Sequence, residues 1–170
     1  MSDLPDWLPP ALDYADYNGA WDNFLLDVYA AFKRDFINSR PQLEGFPVVF
    51  DGRISDGMEE GFWHVTSQTD REIGERVQDF RRCERIVWLR PIIEHPDEET
   101  ISFWKNRRGK EIRLLLWLEA FDYLVVLSER PRVRVLVTAY CTDREHIRRK
   151  LRQERDEASK ANAASSSETA

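Results

Sequence analysis

The chain has 170 residues, 42% of them hydrophobic and 33% charged, with a formal net charge of −6; that is length for one domain with a real core and too acidic a balance for coating nucleic acid indiscriminately. No apolar run approaches the ~20 residues of a membrane-spanning helix, and the acidic start Met1-Ser2-Asp3-Leu4-Pro5-Asp6-Trp7 lacks the basic and apolar stretches of a secretory signal. The charge is uneven, however. Residues 1–100 carry 10 Lys and Arg against 21 Asp and Glu, whereas residues 101–155 carry 14 against 7, so the second part can present a local footprint for phosphates.

In chain order, the proline-broken segment 1–16 reads as irregular, anchored by Trp7 and Leu8. From Tyr17 to Ile37 the residues Trp21, Phe24, Leu25, Val28, Tyr29, Phe32 and Phe36 recur at three and four, the signature of an amphipathic helix that Asn38-Ser39-Arg40-Pro41 ends. Residues 46–50 read as a short strand, followed by turns at Asp51-Gly52 and Ser55-Asp56-Gly57. Residues 60–67 read as a second strand, with Phe62, His64 and Thr66 on one face and Trp63 and Val65 on the other. A polar loop over 68–75 precedes a helix over 76–89, with Cys83 inward and Arg81, Arg82 and Arg85 outward, limited by Pro91.

The charged stretch Lys105-Asn106-Arg107-Arg108-Gly109-Lys110 reads as a hairpin tip between strands 101–104 and 112–118, and 123–128 as a central, almost wholly apolar strand. The last strand, 133–141, alternates. Val133, Val135, Val137, Ala139 and Cys141 line one face, and Arg132, Arg134, Leu136, Thr138 and Tyr140 the other. A charged helix from Asp143 to Glu157 then gives way to a tail over 158–170 expected to be disordered. Together these predict one α+β domain over 17–157: N-terminal helices, a mostly antiparallel sheet and a charged C-terminal helix.

Several constellations are candidates for chemistry. His64 with Thr66 puts an imidazole and a hydroxyl on one strand face, either as a proton-transfer site or as a structural histidine beside Trp63. Arg81, Arg82 and Arg85 share a helix face that is either a phosphate clamp or a solvated salt-bridge surface. Lys105, Arg107 and Arg108 beside Trp104 suit a nucleic-acid backbone, and Arg132 and Arg134 add fixed cations next to Thr138 and Tyr140. Walker, Gly-x-Ser-x-Gly and His-Glu-x-x-His motifs are all missing. Two cysteines and three scattered histidines offer no metal-ligand spacing. Cys83 and Cys141 read as two buried thiols in a reducing cytoplasm, and no cofactor is expected.

The sequence pieces Phe62-Trp63-His64-Val65-Thr66-Ser67, Asp79-Phe80-Arg81-Arg82-Cys83-Glu84-Arg85-Ile86, Tyr123-Leu124-Val125-Val126-Leu127 and Val137-Thr138-Ala139-Tyr140 resemble the phage-associated branch of the barnase/EndoU/colicin/RelE-like nuclease superfamily. That resemblance spans residues 62–140. It implies a small metal-independent endoribonuclease, a phage- or mobile-element-associated toxin that drives the ribose 2′-hydroxyl onto the adjacent phosphate. Its partners would be RNA and a protein inhibitor or antitoxin. By the same resemblance His64 would be general acid or base, Arg82 and Arg85 would neutralise the phosphorane, and Thr138 and Tyr140 would position the scissile group or donate a proton. The competing expectation is a non-catalytic accessory protein that binds protein or RNA, its N-terminal aromatics Trp7, Trp21, Phe24 and Phe36 serving an interface. The two part on whether His64, Arg85, Thr138 and Tyr140 converge. The alternating pattern predicts His64, Thr66, Thr138 and Tyr140 on one open sheet face near Arg82 or Arg85.

Overall fold

The aromatic periodicity after Tyr17 forms the helix it predicts: α1 spans Trp21–Phe32 and continues as a π-helical turn over Lys33–Ile37. The computed structural model describes residues 3–168, with side chains as far as Ser165. Phe24, Val28, Ala31, Phe32 and Phe36 are buried on one stripe of this helix. Ahead of it the N-terminal segment is irregular but anchored, apart from a 3-10 turn at Tyr14–Tyr17. Leu8 is buried, Trp7 stacks on the His95 ring at 4.8 Å, and the Trp88 indole donates to the Pro9 carbonyl at 2.8 Å.

After β1 (Gln42–Leu43) and β2 (Phe46–Val49), a tight hairpin of β3 (Ile54–Ser55) and β4 (Met58–Glu59) turns at Asp56 and Gly57. Both turn residues have positive φ, 50° and 82°, the pairing that a two-residue primed turn requires. The next segment departs from expectation. Residues Glu60–Thr66 form a helix, α2, and not a strand. Its buried residues Phe62, Trp63, Val65 and Thr66 fit a helix packed on the core as well as they fit an alternating strand, and seven residues are too few for the period to decide. Gly61 fixes how closely α2 approaches. A Cβ there would lie 2.7 Å from Phe50 Cβ, and the Gly61 amide donates to the Asp51 carbonyl at 2.9 Å. Gly61→Ala should therefore destabilise the protein by about 1–3 kcal/mol through overpacking. Denaturant melts read this directly, and an unchanged midpoint would show that Phe50 yields freely.

The stretch from Ser67 to Glu94 is also more broken than its helical pattern suggests. It forms a hairpin of β5 (Ser67–Thr69) and β6 (Arg76–Gln78), then α3 (Phe80–Glu84), a 3-10 turn (Ile86–Trp88) and α4 (Leu89–Glu94). The Asp79 carboxylate caps α3, accepting from the amides of Arg81 and Arg82 at 3.0 and 3.2 Å. Pro91 sits in the first turn of α4, where no amide is needed for an intrahelical bond, so it does not stop the chain.

β7 (Ser102–Arg108), β8 (Glu111–Leu118), β9 (Tyr123–Glu129) and β10 (Arg134–Cys141) complete a six-stranded sheet of order β1-β2-β10-β9-β8-β7. Every pairing is antiparallel except β2 with β10, which meet only at Arg134 and Val135. One face carries the main core: Leu114, Leu116, Leu118, Tyr123, Val125 and Leu127 pack against α1, α2 and α4 residues such as Phe32, Phe62 and Ile92. The other face, with Trp104, Leu115, Trp117, Leu124 and Val126, is covered by Leu151 of the last helix, α5 (Glu145–Glu168). α5 is pinned by ion pairs: Arg152 and Arg155 to Glu119 at 2.6 and 2.8 Å, and Arg148 to Asp122 at 3.2 Å. It also runs through 158–168, the segment expected as a tail. Ala158, Ala161, Ala163 and Ala164 favour helix where composition alone suggested disorder. Residues 169–170 lie outside the described residues.

Candidate functional site

β10 carries a bulge that decides what the site contains. Leu136 pairs with Leu127 but Thr138 pairs with Val126, leaving one extra residue between them. The side-chain alternation slips at that point. Arg134 and Leu136 share the core face with Leu127 and Glu129, whereas Thr138 and Tyr140 share the α5 face with Val126 and Leu124. The single polar face expected of Arg134, Leu136, Thr138 and Tyr140 is thus divided between opposite sides of the sheet.

Beyond Val135, β10 loses β2 as a neighbour, and α2 closes in beside it. The Thr138 hydroxyl donates to the His64 carbonyl at 3.0 Å. Between α2, the β5–β6 hairpin and β10 lies an open groove of about 600 Å³ lined by His64, Ser67, Arg76, Arg82, Val137 and Thr138, with Asp51 at its edge. The His64 side chain is 42% exposed and its Nε2 lies 3.8 Å from the Glu60 carboxylate, one helical turn back. Glu60 is itself paired with Arg76 at 2.8 Å, and the Arg76 guanidinium sits 5.2 Å over the Trp63 ring. Asp51 is held ionised: hydrogen bonds from the Arg53 side chain and amide push its carboxyl down to about 2. The imidazole therefore shares the groove with fixed carboxylates and with two guanidiniums.

Arg82 is the hinge of the site. Its Nη1 donates to the Ser67 carbonyl at 2.8 Å, its Nε lies 3.5 Å from Asp79, and its guanidinium centre is 5.8 Å from the Tyr140 ring centroid. Arg82 and Thr138 line both the groove and a second cavity of about 340 Å³, whose walls include Tyr140, Arg108, Arg113 and Lys150. Burial raises the Tyr140 phenol above its ordinary range, with Glu154 acting the same way and Arg108, Arg82 and Arg113 opposing. The hydroxyl remains protonated at neutral pH and available as a donor.

The structure thus brings His64, Arg82 and Thr138 to one groove and Tyr140 and Arg108 to the cavity that continues it. Other expected site residues lie elsewhere. Thr66 is fully buried, its hydroxyl donating to the Phe62 carbonyl at 2.8 Å. Arg85 lines neither space; it stacks over Trp88 at 5.3 Å and donates to the Arg81 carbonyl at 3.1 Å. Arg81 pairs with Asp143 at 3.1 Å on the far side of Arg82. Lys105 and Arg107 face the side of the hairpin opposite Asn106 and Arg108, since Lys105 pairs with Leu114 and Arg107 with Ile112. Lys105 is bound there to Glu44 and Glu129 at 3.2 and 2.9 Å. Arg134 is buried, paired with the same two glutamates at 3.3 Å and stacked 4.2 Å over Phe46. Arg132 is exposed in the β9–β10 connection and lines neither space.

Sequence reasoning missed Ser67, Arg76, Arg113 and Lys150. The first two depend on the fold of the β5–β6 hairpin, and the last two on α5 returning to the sheet, so no local pattern marks them. Among the described residues no three His, Cys, Asp or Glu side chains cluster as a metal site, and no helix is long and apolar enough to cross a membrane. No protein-family model, curated protein or solved structure matches this chain.

Proposed function

We propose that the groove binds RNA and that the protein is a metal-independent ribonuclease cleaving through the ribose 2′-hydroxyl. The observation that carries this reading is the meeting of His64, Arg82 and Thr138 on the walls of one groove that continues into a basic cavity beside Tyr140. In this mechanism His64 takes the 2′-hydroxyl proton, and the freed oxygen attacks the adjacent phosphorus. Arg82 stabilises the five-coordinate oxyanion with the charge-assisted bonds that guanidinium geometry favours. The P–O5′ bond breaks, the leaving oxygen takes a proton from the Tyr140 phenol, and a 2′,3′-cyclic phosphate remains. Thr138 acts on His64 by holding its backbone.

Incubating the purified protein with end-labelled RNA in EDTA tests the reading: fragments ending in cyclic phosphate are expected. RNA left intact in EDTA but cut after a divalent ion is restored would overturn the mechanism. A second reading, RNA binding without cleavage, draws on the prior commitments of Arg82 to Ser67 and Asp79 and of Thr138 to His64. A retarded but uncut RNA in a gel-shift assay would favour it.

A further inference from the structure

The second cavity gathers cations with few carboxylate partners. Three arginines of α5 are neutralised by the sheet side, Arg148 by Asp122 and Arg152 and Arg155 by Glu119. Here Arg82, Arg108, Arg113 and Lys150 converge on about 340 Å³ with Glu154 as the one carboxylate among the lining residues. Glu154 is already engaged, accepting from the Trp104 indole at 3.0 Å and the Asn106 amide at 2.5 Å. Arg108 and Lys150 have no ion pair among the described residues, and Arg113 has only a 3.4 Å contact to Glu111. The Arg113 Nε–H is buried without a hydrogen-bond acceptor, and that of Arg82 has only the Asp79 carboxylate, at 3.5 Å.

Like charges around one concavity repel, and the carboxylates of Asp79 and Glu111 offset Arg82 and Arg113 only from 3.5 and 3.4 Å, so an entering anion is favoured. A buried donor without a partner also carries a desolvation cost that an oxyanion can relieve. The arrangement is also built on rigid elements. Arg113 and Asn106 are paired across β7 and β8, Arg108 ends the same face of β7, and Lys150 descends from α5. The space is of the order that accepts a small ligand, roughly 300 Å³ and upward, which exceeds a lone phosphate and suits one nucleotide.

We propose that this cavity is a second phosphate subsite, in which Arg108, Arg113 and Lys150 hold the phosphate neighbouring the one at Arg82. It rests on the RNA reading above and deepens it: a substrate that extends at least one phosphate beyond the scissile bond gains binding that a dinucleotide lacks. A minimal dinucleotide would fill the groove and leave the cavity empty.

The test uses the full chain, a short 2′-O-methyl RNA oligonucleotide that cannot be cut, and the double variant Arg113→Gln/Lys150→Gln. Each phosphate contact to a single strand contributes a slope of about −0.7 to log K against log salt. Losing two contacts should flatten the parent slope by about 1.4 and weaken binding, with thermal melting checked for each protein. On cleavable RNA the variant should lose turnover of a trinucleotide about 10-fold or more, the scale of one 1.4 kcal/mol interaction, while dinucleotide turnover stays at the parent level. If the double variant does not fold, Lys150→Gln alone, at an exposed position, should flatten the slope by about 0.7. An unchanged slope overturns the subsite. Parent binding with the expected slope change but no cut products leaves the subsite standing and removes the cleavage mechanism alone. Failure of the parent to bind RNA removes both.

Discussion

His64→Ala is expected to lower RNA turnover by roughly 10²–10⁴-fold, the usual scale for losing a general acid or base, while leaving the fold intact. The separation of the two effects follows from how the residue is held. Its side chain is 42% exposed and its ion-pair contact, the Glu60 carboxylate, lies 3.8 Å away, so truncation empties no core cavity. The group that does serve the structure is the His64 carbonyl, which accepts from Thr138 and is retained by any substitution. Glu60 keeps its closer partner Arg76 at 2.8 Å. A variant with parent-like melting and parent-like turnover would end the assignment of His64 as the proton-transfer group. The pH profile supplies an independent reading for the other end of the reaction. Burial raises the Tyr140 phenol above its ordinary value, so a step that needs its proton persists through neutral pH and fails only well into the alkaline range. Tyr140→Phe should remove this alkaline limb together with most of the rate, and a limb that survives in the Phe variant would assign the donor elsewhere.

Long, strongly periodic features were legible in the sequence, and short or register-dependent ones were not. The stripe from Trp21 to Phe36 extends over several turns and could only be a helix. The apolar run of β9 had to be a covered central strand, because α5 and the main core press on its two faces. By contrast, residues 60–66 satisfy a period of two and a period near four at once. Tertiary packing beside Phe50, where only glycine fits at position 61, settles that they coil. The bulge at 136–138 is a single extra residue with no compositional mark, yet it sends Arg134 into a buried ion-pair network and Thr138 and Tyr140 to the α5 face. The hairpin tip shows the same dependence on register. Its basic character was evident, but which cations face the cavity follows from pairing, so Arg108 enters it and Lys105 and Arg107 do not. Arg113 and Lys150 are far apart in sequence and meet only because α5 folds back over the sheet. The site residues that were identified, His64, Arg82 and Thr138, converge through a helix–strand contact and not through the common strand face that alternation suggested.

Arg82→Ala should cut turnover by about 10²–10³-fold, the magnitude of removing one well-placed oxyanion donor, and here stability and chemistry must be separated by design. The guanidinium is 13% exposed and its Nη1 supplies the Ser67 carbonyl at 2.8 Å, so alanine also withdraws a structural hydrogen bond. Losing the partner of a buried polar group costs about 1–3 kcal/mol, enough to lower the melting temperature without emptying the folded state at room temperature. Asp79 limits the damage, since its carboxylate still caps α3 through the amides at 81 and 82. Arg82→Lys isolates the chemistry. Lysine keeps the positive charge and can reach one acceptor, but it cannot serve Ser67 and a phosphate oxygen together from one planar fork. It should melt closer to the parent than the alanine variant and still lose roughly 10-fold or more in turnover, less than the full oxyanion-donor effect. Arg85→Ala is the control. That guanidinium stacks on Trp88 and lines neither the groove nor the cavity, so its removal should leave turnover at the parent level although it is three residues from Arg82. Parent-like cleavage by both Arg82 variants, or a loss confined to Arg85→Ala, would place the phosphate elsewhere on the protein.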